Sequence, residues 1–297
     1  MRGAGIQYDW PLYRPPSEAD SLIFQATLGC SHNRCAFCVN YREKRFRPRP
    51  AAELAAEIAW AARELPDTRR VFLADGDAFV LPTRRLLPLL EGLHRAFPRL
   101  ERVTAYAGPG NLRNKSDAEL RALRAAGLTM LYFGLESGDD EVLRRIDKGH
   151  TADAMVATCA RLQAAGFDLS VTVILGLAGP QGSARHAEAT ARALDRIRPR
   201  FAAALTLMLE PREPGYAEAY GDPAWRPLGP LEILAECRAL IAGMQADGVT
   251  FRSNHASNYL ALGGELQRDK ATLLARIDEV LGDPRARGLR PDWLRAL

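Results

Sequence analysis

Six short apolar segments alternate with helical patterns along the first two thirds of the chain, and this alternation constrains the fold most. The predicted strands are 22–28, 70–74, 102–107, 129–134, 169–175 and 202–209, and the helices between them begin near 51, 82, 116, 139, 151 and 183. Ser116 and Glu119 have the spacing of a capping box at the start of the third helix. Parallel neighbouring strands need a helical crossover, and such crossovers are right-handed. The pattern therefore predicts an α/β fold whose parallel sheet closes fully or partly into a barrel.

A doubly wound open sheet is the competing architecture. The sequence has neither a Gly-x-Gly-x-x-Gly turn after its first predicted strand nor a Gly-Lys-Ser/Thr phosphate loop. Both absences lower the probability of a dinucleotide-binding or P-loop fold. In a barrel, the functional residues gather at the carboxyl ends of the strands, so those positions are the ones to inspect.

Three cysteines follow the first predicted strand. Cys30, Cys35 and Cys38 stand in the segment Leu-Gly-Cys-Ser-His-Asn-Arg-Cys-Ala-Phe-Cys. Thiolates select iron–sulfur clusters, zinc or copper(I). A [4Fe-4S] cluster held by three cysteines leaves one iron open, whereas a structural zinc site takes four protein ligands. Because His32 would supply a fourth ligand, a zinc-stabilised binding module stays open as the alternative.

This segment resembles the cluster-binding loop of the radical S-adenosylmethionine (radical SAM) enzymes. Their usual pattern is Cys, three residues, Cys, two residues, Cys, with an aromatic residue before the last Cys. Phe37 has the aromatic place, and one extra residue separates Cys30 from Cys35. The resemblance covers about residues 22–210 and extends to the group of the oxygen-independent coproporphyrinogen oxidases. It implies a partial (β/α)6 TIM-like barrel with a short C-terminal extension, with a [4Fe-4S] cluster and SAM as cofactors.

The resemblance also assigns SAM contacts to the predicted strand ends. Gly76 and Asp77 would accept the methionine amino group through exposed backbone, and Tyr106 has a place where some relatives carry a ribose-binding acid. Glu136 and Ser137 belong to a Gly-Leu-Glu-Ser element in which Glu136 would accept a hydrogen bond from the ribose. A structural Asp-Gly turn and ordinary core packing are the simpler alternatives for the first three residues.

The later elements continue the same series. Lys148 would pair with the methionine carboxylate of SAM, although relatives often carry Arg there. Thr172 would reach the ribose hydroxyls, while Ile174 and Gly176 would supply a flat apolar contact to adenine. Any buried strand would have a similar sequence, so these last three residues support the resemblance only together with the motifs at the other strand ends.

The resemblance implies a reaction as well as a fold. SAM would be cleaved reductively to methionine and a 5′-deoxyadenosyl radical, which abstracts hydrogen from a small-molecule or unidentified substrate. A flavodoxin or ferredoxin would be the one-electron donor. Asn254 and His255 are predicted to be catalytic, because this polar run follows an apolar strand pattern at 249–252. His255 would orient the substrate or move a proton. A turn explains the asparagine equally well.

The chain is predicted to divide into a lead segment (1–20), the radical SAM barrel (21–210) and an extension (211–297) that covers the barrel mouth. The Pro- and Gly-rich stretch directly after 210 is predicted to be an irregular connection. The net charge is only +4, with 40 basic and 36 acidic residues, so a nucleic-acid partner is not expected. Residues 1–20 lack the apolar core of a secretory signal, and no segment reads as a membrane span. Five cysteines, three of them clustered, fit a reducing cytoplasm, and Cys159 and Cys237 are predicted to be core thiols.

Overall fold

The computed structural model describes residues 5–209, 215–283 and 288–296. These residues form two compact units. The first comprises the described residues up to Asn33 together with Cys38–Phe133 and Ala160–Leu169. The second comprises Arg34–Phe37, Gly134–Cys159 and the described residues from Ser170 onward. The predicted boundary at 210 lies outside the described residues, and the division into lead segment, barrel and extension stays a prediction.

Strands and helices alternate as the sequence predicts. The strands are β1 (Leu22–Gln25), β2 (Thr27–Leu28), β3 (Arg47–Pro48), β4 (Arg70–Ala74), β5 (Arg102–Ala107), β6 (Leu128–Glu136), β7 (Asp168–Leu175), β8 (Phe201–Thr206), β9 (Val249–Arg252) and β10 (Gly263–Leu266). The helices are α1 (Ala51–Glu64), α2 (Thr83–Ala96), α3 (Asp117–Ala125), α4 (Asp140–Arg145), α5 (Ala152–Ala164), α6 (Gly179–Ile197), α7 (Gly215–Tyr220), α8 (Pro230–Gly243) and α9 (Lys270–Gly282).

The main sheet is mostly parallel and does not close on itself. This confirms the predicted α/β fold class, a partial barrel. In the first unit the strand order is β1, β4, β5, β6, and every pair is parallel. In the second unit β7, β8 and β9 are parallel neighbours, and β10 pairs with β9 in the antiparallel sense. The six predicted alternating strands correspond to β1 and β4 to β8, and the strand pattern predicted at 249–252 is β9. Of the strands in this sheet, only β10, which extends it beside β9, was not predicted. The short strands β2 and β3 form a separate antiparallel pair.

Local sequence signals explain several of the element boundaries. The backbone N–H of Glu119 donates to Ser116 Oγ at 3.2 Å, and the backbone N–H of Ser116 donates to a Glu119 carboxylate oxygen at 2.9 Å, so the predicted capping box at the start of α3 is confirmed. Cys159 and Cys237 are buried on helices, as predicted, and burial raises the pKa of both thiols to about 12. Both therefore stay protonated at neutral pH.

Two boundaries differ from the sequence prediction. Helix α6 begins at Gly179 and not near 183, and Pro180 stands in its first turn, where proline is well tolerated. The stretch after 210 was expected to be irregular, yet it contains α7, whose Tyr216 donates its hydroxyl to the carbonyl of Leu177 at 2.9 Å. None of the described helices has both the length and the apolar character that crossing a membrane requires.

Candidate functional site

The three clustered cysteines lie between β2 and β3, on a segment without helix or strand. Cys30, Cys35 and Cys38 are all half-buried. The backbone on the N-terminal side turns at Gly29, which has a φ of +71°. Farther along, the side-chain amide of Asn33 donates to the carbonyl of Tyr41 at 2.8 Å. The segment is thus held by local contacts and presents partly accessible thiols.

In the first unit, the residues after β4 contact this cysteine segment. Asp77 is buried, and its Oδ2 accepts hydrogen bonds from the Ser31 hydroxyl and from the Asn111 side-chain amide, the latter at 3.0 Å. Asn111 in turn accepts the backbone N–H of Gly108 at 2.7 Å, just after β5. Three carboxyl-terminal strand ends, those leading to Ser31, Asp77 and Gly108, are therefore joined by hydrogen bonds, as a parallel sheet allows.

Gly76 and Tyr106 have clear packing roles. A Cβ at Gly76 would lie 2.5 Å from the Tyr41 ring, so only glycine lets that ring approach the turn. Tyr106 is half-buried, with its ring edge-on to Phe72 at 5.0 Å between centroids. Burial raises the pKa of Tyr106, so its phenol remains neutral and can act as a hydrogen-bond donor. Contacts of either residue with SAM stay a prediction.

In the second unit, β6 ends in a buried ion pair. Lys148 Nζ lies 2.9 Å from Glu136 Oε1, and both side chains are about nine-tenths buried. Glu136 has a φ of +63°, which is uncommon for a non-glycine residue and occurs where surrounding structure holds it. A Cβ at Gly134 would lie 2.1 Å from Glu136 Oε1, so glycine makes room for the pair. The two residues predicted to contact different parts of SAM thus contact each other.

A buried polar network lies at the end of β7 and includes Ser137, Ile174 and Gly176. His186 Nε2 donates to the carbonyl of Ile174 at 3.1 Å, so in the neutral ring Nδ1 accepts from the Ser137 hydroxyl at 2.8 Å. The backbone N–H of Gly176, which has a φ of +90°, donates to Glu236 Oε1 at 2.7 Å. The network fixes the course of the backbone at the predicted adenine contact.

Thr172 and Ile174 differ in exposure along β7. Thr172 is half-buried, whereas the side chain of Ile174 is buried at 8% exposure. Contacts of either residue with SAM stay a prediction. Phe37, the aromatic residue of the cysteine segment, is also half-buried.

The polar run after β9 packs against the end of β8. The Asn258 side-chain amide donates to the carbonyl of Ala204 at 2.9 Å, and the backbone N–H of Thr206 donates to Ser257 Oγ at 3.2 Å. The backbone N–H of Ser257 donates to His255 Nδ1 at 3.1 Å, so Nε2 carries the proton of the neutral ring. Burial, and next the charge of Arg290, lower the pKa of His255. Asn254 is exposed.

Several site residues escaped the sequence analysis. Lys44 and Asp75 anchor the cysteine segment, Asn111 orients Asp77, and His186 and Glu236 hold the end of β7. Asp75 directly precedes Gly76 in the Asp-Gly turn after the second predicted strand, so its position at a strand end could have marked it as a site residue. Glu236 offered one as well, because a carboxylate on the apolar face of a helical pattern needs a buried partner. The partners themselves are distant in sequence.

The described part of the chain contains no group of three or more His, Cys, Asp or Glu side chains placed to hold a single metal ion. A zinc site requires such convergence, so the zinc alternative gains no support from the structure. A [4Fe-4S] cluster makes a different demand, because each thiolate binds a different iron. Three half-buried thiols on one irregular segment fit that demand and leave the fourth iron for another ligand.

The sequence pattern of the radical SAM superfamily matches residues 24–192, more than half of the chain. This chain belongs to the radical SAM superfamily. The predicted recognition is therefore confirmed: the protein is a radical SAM enzyme, and its cofactors are the [4Fe-4S] cluster and SAM that members of the superfamily bind.

Two curated relatives show how far the similarity reaches. The heme chaperone HemW of Bacillus subtilis (strain 168) is 25% identical over 115 residues, which are 38% of this chain and 30% of that protein. The tRNA-2-methylthio-N(6)-dimethylallyladenosine synthase of Dehalococcoides mccartyi (strain CBDB1) is 30% identical over 186 residues, which are 57% of this chain and 42% of that protein. The chain thus spans less than half the length of these relatives.

Two solved structures share the fold. Coproporphyrinogen III oxidase (HemN) from Escherichia coli gives a TM-score of 0.57 at 20% identity, covering 75% of this chain and 52% of that chain. Methylornithine synthase (PylB) gives a TM-score of 0.55 at 15% identity, covering 91% of this chain and 74% of that chain. At these identities the likeness establishes a TIM-like partial barrel and leaves the substrate open.

Proposed function

We propose that this enzyme abstracts a hydrogen atom from a small-molecule substrate, with Cys30, Cys35 and Cys38 as the cluster ligands. When bound, the cluster and SAM supply the chemistry of the superfamily, the reductive cleavage of SAM to methionine and a 5′-deoxyadenosyl radical. The observation that carries the assignment is the hydrogen bond from Ser31, inside the cysteine segment, to Asp77 after β4. It sets the segment over carboxyl-terminal strand ends, where barrel enzymes act.

The Glu136–Lys148 pair is the proposed anchor for the charged part of SAM. An ammonium carries a positive charge and only donors, so Lys148, held 2.9 Å from Glu136 Oε1, is the group proposed to pair with the methionine carboxylate. Glu136 has further lone pairs for the ribose hydroxyls. Because the pair is buried, its geometry is fixed before SAM arrives, which lowers the entropic cost of binding.

The other proposed SAM contacts come from residues at or near the carboxyl ends of the strands. Gly76 and Asp77 would meet the methionine amino group, Tyr106 and Thr172 would face the ribose, and Gly176 would lie along adenine. The support is positional: Asp77 follows β4, Tyr106 lies in β5, and Gly176 follows β7. Ser137 would act through His186, holding the turn beside Glu136.

His255 is the proposed substrate-side residue, with Asn254 beside it. His255 Nδ1 accepts an N–H, so Nε2 is the atom that can donate to a substrate. The run packs at the end of β8, which supports the proposal that the extension after 210 contributes to the mouth of the site. A flavodoxin or ferredoxin is the proposed electron donor, and the substrate is not identified.

The test is SAM cleavage by the reduced protein. Anaerobic incubation with dithionite and SAM should yield methionine and 5′-deoxyadenosine, measured by chromatography. Cys35→Ala should abolish both products, because one cluster ligand is lost. The matched control is Cys159→Ala, which removes a buried helix thiol and should keep cleavage. Cleavage that continues undiminished in Cys35→Ala would refute the ligand assignment.

A further inference from the structure

A single buried carboxylate links the two ends of the cysteine segment, residues 29–44. Asp75 is fully buried, and its Oδ2 accepts the backbone N–H of Gly29 at 3.1 Å and an N–H of Lys44 Nζ at 3.1 Å. Gly29 immediately precedes Cys30, and Lys44 follows Cys38 by six residues. One oxygen atom thus closes the segment at its base.

Lys44 also connects the cysteine segment to residues near the N-terminus of the chain. Its side chain is 7% exposed, and Nζ also donates to the carbonyls of Asp9 and Pro11, each at 2.6 Å. Nζ also lies 3.2 Å from Asp9 Oδ1, so four acceptors, counting Asp75, surround the three ammonium donors. Gln25 in β1 fixes Asp9 in turn, because its side chain accepts the Asp9 N–H at 2.8 Å and donates to the Asp9 carbonyl at 2.9 Å.

Backbone atoms at the two ends of the cysteine segment also lie close together. A Cβ on Gly29 would lie 3.0 Å from the carbonyl oxygen of Lys44 and 3.3 Å from the N of Phe46. The two ends of the segment therefore touch through backbone atoms. Removing the carboxylate of Asp75 would take the buried carboxylate partner from the Lys44 ammonium and the acceptor from the buried N–H of Gly29, a situation that costs free energy unless the ends separate.

We propose that Asp75 and Lys44 are positioning residues for the iron–sulfur cluster: by closing the cysteine segment at its base they hold the thiols ready to bind. The proposal rests on the proposed function, since it takes the three cysteines as ligands. Groups that orient metal ligands change metal affinity about 10–100-fold when they are removed, although they never touch the metal. Asp75 and Lys44 act at the two ends of the segment, through the Gly29 N–H and the Lys44 ammonium.

The experiment compares Asp75→Asn and Lys44→Met with wild type and with Glu18→Gln. Glu18 is a matched control, because it is equally buried in the first unit and bonds Arg102 at 3.0 Å, away from the cysteine segment. Release of iron from the reconstituted protein to a ferrous chelator should be at least about tenfold faster in both variants. Glu18→Gln should release iron at the wild-type rate even if its melting temperature falls equally.

A second readout uses the apoprotein and needs no cluster. Alkylation by iodoacetamide, mapped by mass spectrometry, should be faster at Cys30 and Cys38 in both variants, while Cys159 should react as in wild type. Wild-type release and alkylation rates in folded Asp75→Asn and Lys44→Met would overturn the proposal and leave the proposed function standing. Wild-type protein that binds no iron would instead refute the proposed function, and the alkylation rates would still test whether the pair closes the segment.

Discussion

Replacing Glu236 by alanine should destabilise the protein far more than an ordinary helix substitution. Glu236 lies on α8 at 2% exposure, and its carboxylate accepts the backbone N–H of Gly176 at 2.7 Å and the Ser183 hydroxyl at 2.5 Å. Alanine removes both acceptors. The substitution therefore leaves the buried N–H of Gly176 without a partner and takes the acceptor from the half-buried Ser183 hydroxyl.

The magnitude follows from these two groups. A buried donor without an acceptor costs about 1–3 kcal/mol, and water replaces part of the bond lost by half-buried Ser183, so the substitution costs about 3 kcal/mol in all. At about 2–4 °C per kcal/mol for a chain of this size class, the melting temperature should fall by about 10 °C. Thermal unfolding followed by circular dichroism on anaerobically prepared apoprotein measures this shift. Glu236→Gln keeps the shape and one acceptor oxygen, so its shift should be about half as large.

Arg238 supplies the control on the same helix. It pairs with Asp278 at 2.5 Å, but both side chains are more than two-fifths exposed, and an exposed ion pair contributes about 0–1 kcal/mol. Arg238→Ala should therefore lower the melting temperature by no more than about 3 °C. A Glu236→Ala shift as small as that of Arg238→Ala would refute the reasoning, because the buried network would then carry no net stability.

Three further predictions concern single side chains. Lys148→Ala should weaken SAM binding, measured by equilibrium dialysis, while iron content stays at the wild-type value; unchanged affinity would remove Lys148 from the site. His255→Ala should leave uncoupled SAM cleavage intact yet lower product formation once a substrate is found, and equal product yields would end its proposed role. Burial lowers the pKa of Lys115 to about 8 from an ordinary 10.5, so the unfolded chain binds more protons between these values. The stability of wild type relative to Lys115→Met should accordingly rise from pH 8 to 10.5 in urea titrations, and a flat or falling difference would contradict this sign.

The sequence predicted the fold class because its signals are local. The alternation of strands and helices, and the Ser116–Glu119 capping box, depend on neighbouring residues and were found correctly. The pairing of β9 with β10 was missed because β10 is a Gly-rich strand, with little apolar alternation to mark it.

In the candidate site, too, the sequence revealed what depends on neighbouring residues and missed what depends on distant ones. The positions after each strand could be identified because motif and strand end are adjacent in sequence. Their supports could not, because Glu236 and Gly176 are 60 residues apart and Asp75 and Gly29 are 46 residues apart. Only the folded chain brings such residues together, and nothing in either local sequence specifies its partner.

Electron paramagnetic resonance of the reduced protein, recorded at low temperature with and without SAM, tests the central claim most directly. Three cysteine ligands leave one iron of a [4Fe-4S] cluster open, so the reduced wild-type protein should show a cluster signal that changes when SAM is added, with about four irons per chain. The signal should be lost in the Cys30, Cys35 and Cys38 triple alanine variant. A colourless protein that contains zinc, or a cluster signal that SAM leaves unchanged, would contradict the account.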